Sequence, residues 1–175
     1  SADLNNSEAQ NHYGVLLQEE ADDNIEDLVN GAHYLQLSAE QGNIHGMANY
    51  GVALLEGKGV EKNIRKAEEY LKKSADLGYS FAQGHYGWVL LNTNPTLAGI
   101  NDGLSYIKKA MSQRNIESFY QYGLILLDGK FVEKNLSLAA RYYKMAADQH
   151  YAEAEYSLGR FYELGKGVNI DISMA

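Results

Sequence analysis

The 175-residue sequence contains no cysteine, a single proline and no long apolar run. Without cysteine, neither a disulfide framework nor a thiolate zinc site is predicted, and the redox compartment stays undetermined. No apolar stretch reaches about 18 residues, so no membrane-spanning helix and no membrane insertion are predicted. The sequence also has no segment typical of a signal peptide, which leaves the localisation open.

Basic residues are absent from the first quarter of the chain. Residues 1–43 contain nine acidic residues and no lysine or arginine, whereas the remaining residues contain 15 basic and 14 acidic residues. A basic stripe that could follow phosphates is missing, so nucleic-acid binding is not predicted. The acidic segment fits two interpretations, a solvated cap that keeps a repeat array soluble or a surface that attracts a basic partner.

The sequence has no pattern typical of a catalytic, metal or cofactor site. The five histidines include no pair four residues apart and no His-Glu-x-x-His segment, so zinc ligation is not predicted. The acidic run at 19–23 lacks the spacing of a calcium loop, and Gly51, Gly57 and Gly59 lack the spacing of a phosphate-binding loop. No Ser, His and Asp set has a spacing recognisable for nucleophilic catalysis. We therefore predict no cofactor, no metal and no enzymatic activity.

A repeat of 36 residues organises the rest of the sequence. Tyr50-Gly51 recurs as Tyr86-Gly87, Tyr122-Gly123 and Leu158-Gly159. Because a fixed period of about 20–50 residues is typical of stacked supersecondary units, we predict an all-α fold of helical hairpins in a single domain over residues 1–175. The predicted repeats are approximately 7–43, 44–79, 80–115 and 116–151, with a partial repeat at 152–175.

Each repeat is predicted to contain two helices joined by a short loop. Apolar spacing predicts helices at about 8–20 and 25–41 in the first repeat, and at 44–56 and 63–77 in the second. The third repeat is predicted to have its loop at 92–96, where Pro95 lies between helices and its missing donor is harmless.

Residues suited to helix caps stand at the predicted helix ends. Ser7 with Gln10, and Ser80 with Gln83, match the capping-box pattern, and Gly42 suits a left-handed helix end. The predicted N-caps of the second helices share one column: Asn63, Gly99, Asn135 and Asp171. Because Asp171 heads a helix that the sequence does not complete, we expect the chain to be part of a longer array.

Two columns of the repeat contain only small residues. The first helices carry Gly14, Gly51, Gly87, Gly123 and Gly159, and the second helices carry Gly31, Ala67, Gly103, Ala139 and Ala175. A glycine inside a helix costs about 1 kcal/mol relative to alanine, so packing must offset this cost. We therefore predict that the two helices approach closely at these columns. The neighbouring tyrosine column is predicted to fill the space between repeats: Tyr34, Tyr70, Tyr106 and Tyr142.

The second repeat resembles the Sel-one-like repeat family, which is related to tetratricopeptide repeats. The resemblance rests on Ala48-x-x-Gly51, then Glu56-Gly57-Lys58-Gly59-Val60, then Lys66-Ala67-x-x-Tyr70-x-x-x-x-Ala75-x-x-Gly78. It covers nearly the whole chain and is weakest at 80–115. Membership implies a right-handed α/α superhelix, or solenoid, whose first helices line a concave face, and a role as a non-catalytic adaptor or scaffold.

The resemblance also identifies candidate binding residues. If the family's concave face is carried over, three columns of the first helices are predicted to line it: Asn11, Ala48, Gly84, Tyr120 and Tyr156; Val15, Val52, Trp88, Leu124 and Arg160; and Glu19, Glu56, Asn92, Asp128 and Leu164. Within them, Trp88, Tyr120, Tyr156 and Arg160 are residue types enriched in binding hot spots. Glu56, Asn92 and Asp128 are the predicted polar rim. The alternative for Trp88 is a core position.

The predicted function is protein–protein interaction, with a partner protein or peptide segment held in the concave groove. One alternative is an inhibitor or immunity-type protein whose acidic first repeat masks a basic effector. Another is a hydrolase of cell-wall or lactam substrates, suggested only by analogy with a cysteine-rich branch of the family. Since this chain has no cysteine, that analogy has little support.

Overall fold

The computed structural model of the protein describes residues 6–22, 24–93 and 95–165, and these residues form nine α-helices and no β-strand. The helices in chain order are α1 (Ser7–Glu19), α2 (Ile25–Glu40), α3 (Ile44–Glu56), α4 (Ile64–Asp76), α5 (Ser80–Thr93), α6 (Leu97–Ser112), α7 (Ile116–Asp128), α8 (Leu136–Ala147) and α9 (Ala152–Leu164). The all-α prediction is confirmed. Asp171 and Ala175, which were assigned to the second helix of the fifth repeat, lie outside the described residues.

Consecutive helices pair as hairpins. The most extensive helix pairs are α1 with α2, α3 with α4, and α7 with α8. The predicted helices of the second repeat agree with α3 and α4 to within one residue. In the third repeat the loop prediction was partly wrong, because α5 continues through Thr93 and places Asn92 on the helix. Pro95 does lie between α5 and α6.

Asparagine side chains cap most of the helix N-termini. Asn63 and Asn135 adopt nearly the same conformation, with φ of −144° and −145°, and accept hydrogen bonds from Lys66 N and Leu138 N at 3.0 and 2.9 Å. Their backbone N–H groups donate to Leu54 O and Leu126 O. The predictions for these two caps are confirmed, and the two hairpins are built alike.

Three predicted caps were wrong. Ser7 is the first residue of α1, and Asn6 caps the helix by accepting hydrogen bonds from Glu8 N and Ala9 N. In the third repeat Thr96, three residues before Gly99, accepts from Gly99 N at 3.2 Å. In both cases a residue with a side-chain acceptor stands just before the helix. For α5, the helix begins at Ser80 itself.

The small-residue columns hold paired helices close together, as predicted. A Cβ at Gly14 would lie 2.9 Å from Gly31 O, and a Cβ at Gly87 would lie 2.6 Å from Gly103 O. A Cβ at Gly123 would lie 2.6 Å from Cε1 of Tyr143. Because real Cβ atoms do not approach other heavy atoms this closely, close packing explains the glycines despite their low helix propensity.

Three members of the tyrosine column pack within their own hairpins, whereas the prediction placed the column between repeats. The rings of Tyr34, Tyr70 and Tyr142 meet tyrosines of the preceding helix edge to face, with centroids 4.9, 5.3 and 5.2 Å apart. The partner rings are Tyr13, Tyr50 and Tyr122. Edge-to-face geometry is favourable for aromatic pairs, so these tyrosines serve the fold of their own repeat.

The chain divides into two compact units, residues 1–86 and 87–175, called here the N-terminal unit and the C-terminal unit. The N-terminal unit has a core that includes Leu35, Met47, Tyr50 and Leu54. The C-terminal unit has two apolar clusters. One contains Leu126, Ala139, Ala140, Tyr143 and Phe161, and the other contains Leu91, Ile107 and Ile125. The single-domain assignment stays a prediction.

Net charge differs sharply between the two units. The N-terminal unit has 14 acidic and six basic residues, whereas the C-terminal unit has nine of each. The whole net charge of −8 is therefore carried by the N-terminal unit. Among the helices described above, none has both the length and the apolar character needed to cross a membrane.

Candidate binding site

An open recess in the C-terminal unit contains four residues of the predicted columns: Trp88, Asn92, Leu124 and Asp128. Its volume is about 450 Å³. The lining residues come from α5, from α7 and from the loop that follows α7: Trp88, Asn92, Leu124, Ile125, Leu127, Asp128, Lys130, Phe131 and Lys134. The walls are mostly apolar and the rim is polar, which is the usual composition of a binding pocket.

Trp88 forms one side of the recess. Its indole is partly buried and packs on the apolar cluster of Leu91, Ile107 and Ile125. One turn later on α5, the amide of Asn92 donates a hydrogen bond to Trp88 O at 2.7 Å. One part of the ring contacts the core and another part lines an accessible surface, and a role of Trp88 in binding stays a prediction.

The loop at 129–132 forms the opposite side. α7 ends at Asp128, and Gly129, which follows it, has a left-handed φ of 76° that lets the chain turn sharply. Phe131 and Val132 then pack on the same apolar cluster as Trp88. Phe131 was not among the predicted binding residues. Its signal in the sequence was the large aromatic at the position where the second repeat has Gly59.

Three charged side chains stand at the rim of the recess. Asp128, Lys130 and Lys134 are exposed, and among the described residues none of them forms an ion pair. The ammonium of Lys130 lies 4.9 Å from the ring centroid of Phe131, a distance suited to a cation–π contact. The rim thus offers two cations and one anion to a ligand.

Tyr120 lies in a separate aromatic cluster of the C-terminal unit. Its ring centroid is 5.5 Å from that of Tyr143 and 5.4 Å from that of Tyr151, and Tyr143 meets Phe161 edge to face at 5.3 Å. Burial raises the pKa of Tyr143 and of Tyr151 above the ordinary phenol value. Tyr120 is partly buried against this cluster, and its participation in binding stays a prediction.

The remaining predicted binding residues lie elsewhere. Tyr156 on α9 is 73% exposed. Arg160, also on α9, forms an ion pair with Glu163 at 2.9 Å. Glu56 is the last residue of α3 in the N-terminal unit and is exposed. None of these three lines the recess with Trp88, and their participation in binding stays a prediction.

Other members of the predicted columns are enclosed by the fold. Asn11, Ala48 and Gly84 are buried, and Asn11 accepts a hydrogen bond from Asn49 Nδ2 at 2.8 Å. These positions serve packing between the helices.

Within residues 6–22, 24–93 and 95–165, no group of three or more His, Asp or Glu side chains could hold a metal ion. At the loop after α3, Gly59 sits directly against the backbone of Leu28. The chemistry that the recess offers is apolar contact, hydrogen bonding and charge.

Comparisons with solved structures identify several similar proteins. The chain is 30% identical to c5321, a protective antigen of uropathogenic Escherichia coli with an SLR fold, over 99% of this chain and 37% of that one, with a TM-score of 0.77. A Sel1 repeat protein from Oxalobacter formigenes is 23% identical over 99% of this chain and 69% of its own, with a TM-score of 0.73, and shows the same fold. The immunity protein Pa5087 from Pseudomonas aeruginosa is 26% identical over 90% of this chain and 59% of its own, with a TM-score of 0.66.

This chain thus spans little more than a third of the length of the protective antigen. The comparison with curated proteins gave no match. The predicted class of fold, an α/α repeat solenoid, is confirmed by these structural neighbours.

The family model described as Sel1 repeat matches residues 7–43, 44–79, 117–151 and 152–175. The segment between the second and third matches contains α6 and Pro95, where the resemblance in sequence is weakest. Proteins with these repeats are generally non-catalytic helical scaffolds that bind other proteins. Repeat period, close-packed glycine columns and family match agree, and the chain belongs to the Sel1 repeat family.

Proposed function

We propose that this chain is a non-catalytic interaction module that binds a partner protein through the recess beside Trp88. The observation that supports the proposal is the composition of that recess, in which Trp88 and Phe131 provide apolar walls and Asn92 and Asp128 a polar rim. Tryptophan is among the residue types that dominate binding energy at interfaces. A side chain of the partner would insert between the two aromatic walls, and the rim would orient the partner's backbone.

The test is capture of a partner from a lysate of the native source by the parent chain and by Trp88→Ala. Loss of a hot-spot aromatic weakens binding by at least about 2 kcal/mol, or roughly 30-fold in Kd, so the partner should be lost from the variant. The matched control is Val52→Ala, the same repeat position in the N-terminal unit. Circular dichroism must show that both variants keep the parent's helix content.

Trp88 also contacts the apolar cluster, so a second variant must leave the core alone. Asn92→Lys with Asp128→Lys changes only exposed side chains at the rim. We expect this variant to fold like the parent and to capture the partner poorly. If the partner is retained by both Trp88→Ala and the rim variant, the recess is not the binding surface.

A second candidate function is that of an immunity-type protein whose acidic surface masks a basic effector. Two observations favour it. The N-terminal unit carries the entire net charge of −8, and the chain is 26% identical to a protein named as an immunity protein. Acidic residues cluster along the first hairpin, including Glu19, Glu20, Glu26 and Asp27.

Salt dependence separates the two candidate functions. Electrostatic attraction to the N-terminal unit would accelerate association at low ionic strength and lose most of that advantage at physiological salt. Replacement of Glu19, Glu20 and Asp22 by lysine should then abolish the effect, whereas lysine at Glu153 and Glu155 of the neutral C-terminal unit should change it little. An association rate that is independent of salt would exclude the masking function.

A further inference from the structure

We infer that the recess of the C-terminal unit selects peptide segments that combine a bulky apolar side chain with flanking carboxylates. This inference rests on the proposed function and adds the chemistry of the partner. The reason lies in the charges at the rim. Lys130 and Lys134 stand beside the apolar walls with no ion-pair partner among the described residues, whereas Asp128 supplies a single opposing charge.

The geometry of the loop explains how both parts of such a ligand would be bound. Phe131 packs on the apolar cluster and carries the ammonium of Lys130 close above its ring. Lys134 lies close to Gly129, because a Cβ built at that glycine would be 2.7 Å from the Lys134 Cβ. A ligand side chain that contacts Trp88 and Phe131 therefore lies beside two cations, and carboxylates next to that side chain would pair with them.

The preference of the recess for acidic peptides is opposite to the preference expected from the net charge of the whole chain. A net charge of −8 attracts cationic peptides without specificity. Selection of an acidic peptide would therefore report the local charge of the recess and not the charge of the protein. This difference makes the inference testable with simple peptides.

The experiment uses the fluorescence of Trp88, the only tryptophan in the sequence. The probes are three blocked octapeptides: Gly-Glu-Glu-Leu-Phe-Glu-Glu-Gly, the same peptide with lysine in place of glutamate, and the acidic peptide with Ala-Ala in place of Leu-Phe. None of them contains tryptophan, so any emission change reports the environment of Trp88. We expect saturable binding of the acidic Leu-Phe peptide with Kd of about 1 mM or lower, at least about fivefold weaker binding of the lysine peptide, and no response to the Ala-Ala peptide.

Charge reversal provides the matched control. In Lys130→Glu with Lys134→Glu the preference should invert, so that the lysine peptide binds more tightly. The corresponding change in the N-terminal unit, Lys58→Glu with Lys62→Glu, should leave the titration of Trp88 unchanged. All four side chains are at least partly exposed, and circular dichroism would verify that both variants fold.

Equal binding of the acidic and lysine peptides would overturn the acidic preference and leave the recess as a binding site. Retention of the preference after reversal of Lys130 and Lys134 would also overturn it, because the charges responsible would lie elsewhere. If none of the peptides changes the emission of Trp88 at millimolar concentration, the inference is wrong. The capture experiment with Trp88→Ala then decides separately whether the proposed function fails as well.

Discussion

The loops after α3 and after α7 occupy the same place in the repeat but have different roles. In the N-terminal unit, Gly59 has a φ of 70° and lies directly against the backbone of Leu28, while Gln18 Nε2 donates to Lys58 O at 3.2 Å. This loop is closed against the preceding hairpin. In the C-terminal unit, Phe131 replaces Gly59, has no positive φ and lines an open recess.

Two exchanges of residue type distinguish the closed loop from the open recess. Glycine at position 59 permits contact between two backbones, so the preceding hairpin lies directly against this part of the loop. Phenylalanine at position 131 cannot make that approach and instead provides an apolar wall. A second exchange acts in the same direction, because Trp88 stands at the position of Val52. Function in repeat proteins can therefore be sought where large aromatics replace small residues of the repeat.

The largest loss of folding stability is expected when a side chain is added to the closed loop. Gly59→Ala should lower the free energy of unfolding by about 3 kcal/mol, because the new Cβ would collide with Leu28 and because alanine is strained at positive φ. Urea unfolding followed by circular dichroism measures the change. Phe131→Ala is the comparison in the open loop, where loss of a partly buried ring should cost about 1–2 kcal/mol and leave the backbone unstrained. A loss below about 0.5 kcal/mol for Gly59→Ala would contradict the closed geometry.

The next largest loss of stability is expected at Gly123, and Gly51 in the same column is its comparison. A Cβ at Gly123 meets the ring of Tyr143 at 2.6 Å, whereas a Cβ at Gly51 meets the side chain of Leu71 at 2.8 Å. A tyrosine ring is rigid and cannot yield to the new Cβ, whereas a leucine side chain can change rotamer. We expect Gly123→Ala to cost about 2 kcal/mol. Gly51→Ala should cost less than about 1 kcal/mol, since the gain in helix propensity offsets part of the clash.

Tyr143→Leu tests whether the ring causes that difference. This change gives the C-terminal unit the residue that the N-terminal unit has at Leu71. In the double variant with Gly123→Ala, the penalty for alanine should shrink toward the value for Gly51→Ala. The interaction between the two sites is measured by a double-mutant cycle. Additive effects would show that the ring of Tyr143 is not the obstacle.

Removal of the N-cap side chain should cost the same stability in the two units. Asn63 and Asn135 have matching dihedral angles and hydrogen bonds, so Asn63→Ala and Asn135→Ala should each cost about 1 kcal/mol. Serine at either position should restore most of the loss because its hydroxyl can also accept from the helix. Thermal unfolding of the four variants tests the equality. A difference above about 1 kcal/mol between the two alanine variants would mean that the hairpins are less alike than their geometry indicates.

The sequence predicted the fold well because the fold depends on what the repeats share. The period, the glycine columns and the capping asparagines recur at fixed spacing, and each has a local physical reason. The prediction failed at α6, where Thr96 is the N-cap, three residues before the expected Gly99. That repeat has no Gly-x-Gly loop to fix the register.

The recess was harder to predict because it depends on where the repeats differ. Transfer of columns from related proteins selected Trp88, Asn92 and Asp128 but could not reveal that Asn11, Ala48 and Gly84 are enclosed by packing. It also omitted Lys130, Phe131 and Lys134, which lie in a loop and not in the helical columns. Comparison of Phe131 with Gly59 would have identified this loop from the sequence alone.

The smallest change in the free energy of unfolding at neutral pH is expected from Tyr143→Phe. The Tyr143 hydroxyl is buried and has no hydrogen-bond partner among the described residues. A buried hydroxyl without a partner is unfavourable, so its removal should raise the free energy of unfolding by up to about 1 kcal/mol. Tyr50→Phe is the control in the N-terminal unit, because the Tyr50 hydroxyl lies 3.5 Å from Lys66 Nζ and its removal should give no gain.

Alkaline pH should enlarge the effect of Tyr143→Phe. Burial raises the pKa of Tyr143 above the value of 10.0 that applies to an unfolded chain, so above that pH the unfolded state loses the phenolic proton first and is favoured. The parent should therefore lose stability as the pH rises through 10, by at most about 1.4 kcal/mol per pH unit for this group. Tyr143→Phe lacks the titrating proton and should lose less. Urea unfolding at pH 8, 10 and 11 measures both slopes, and parallel curves would show that Tyr143 ionises as readily in the folded chain as in the unfolded one.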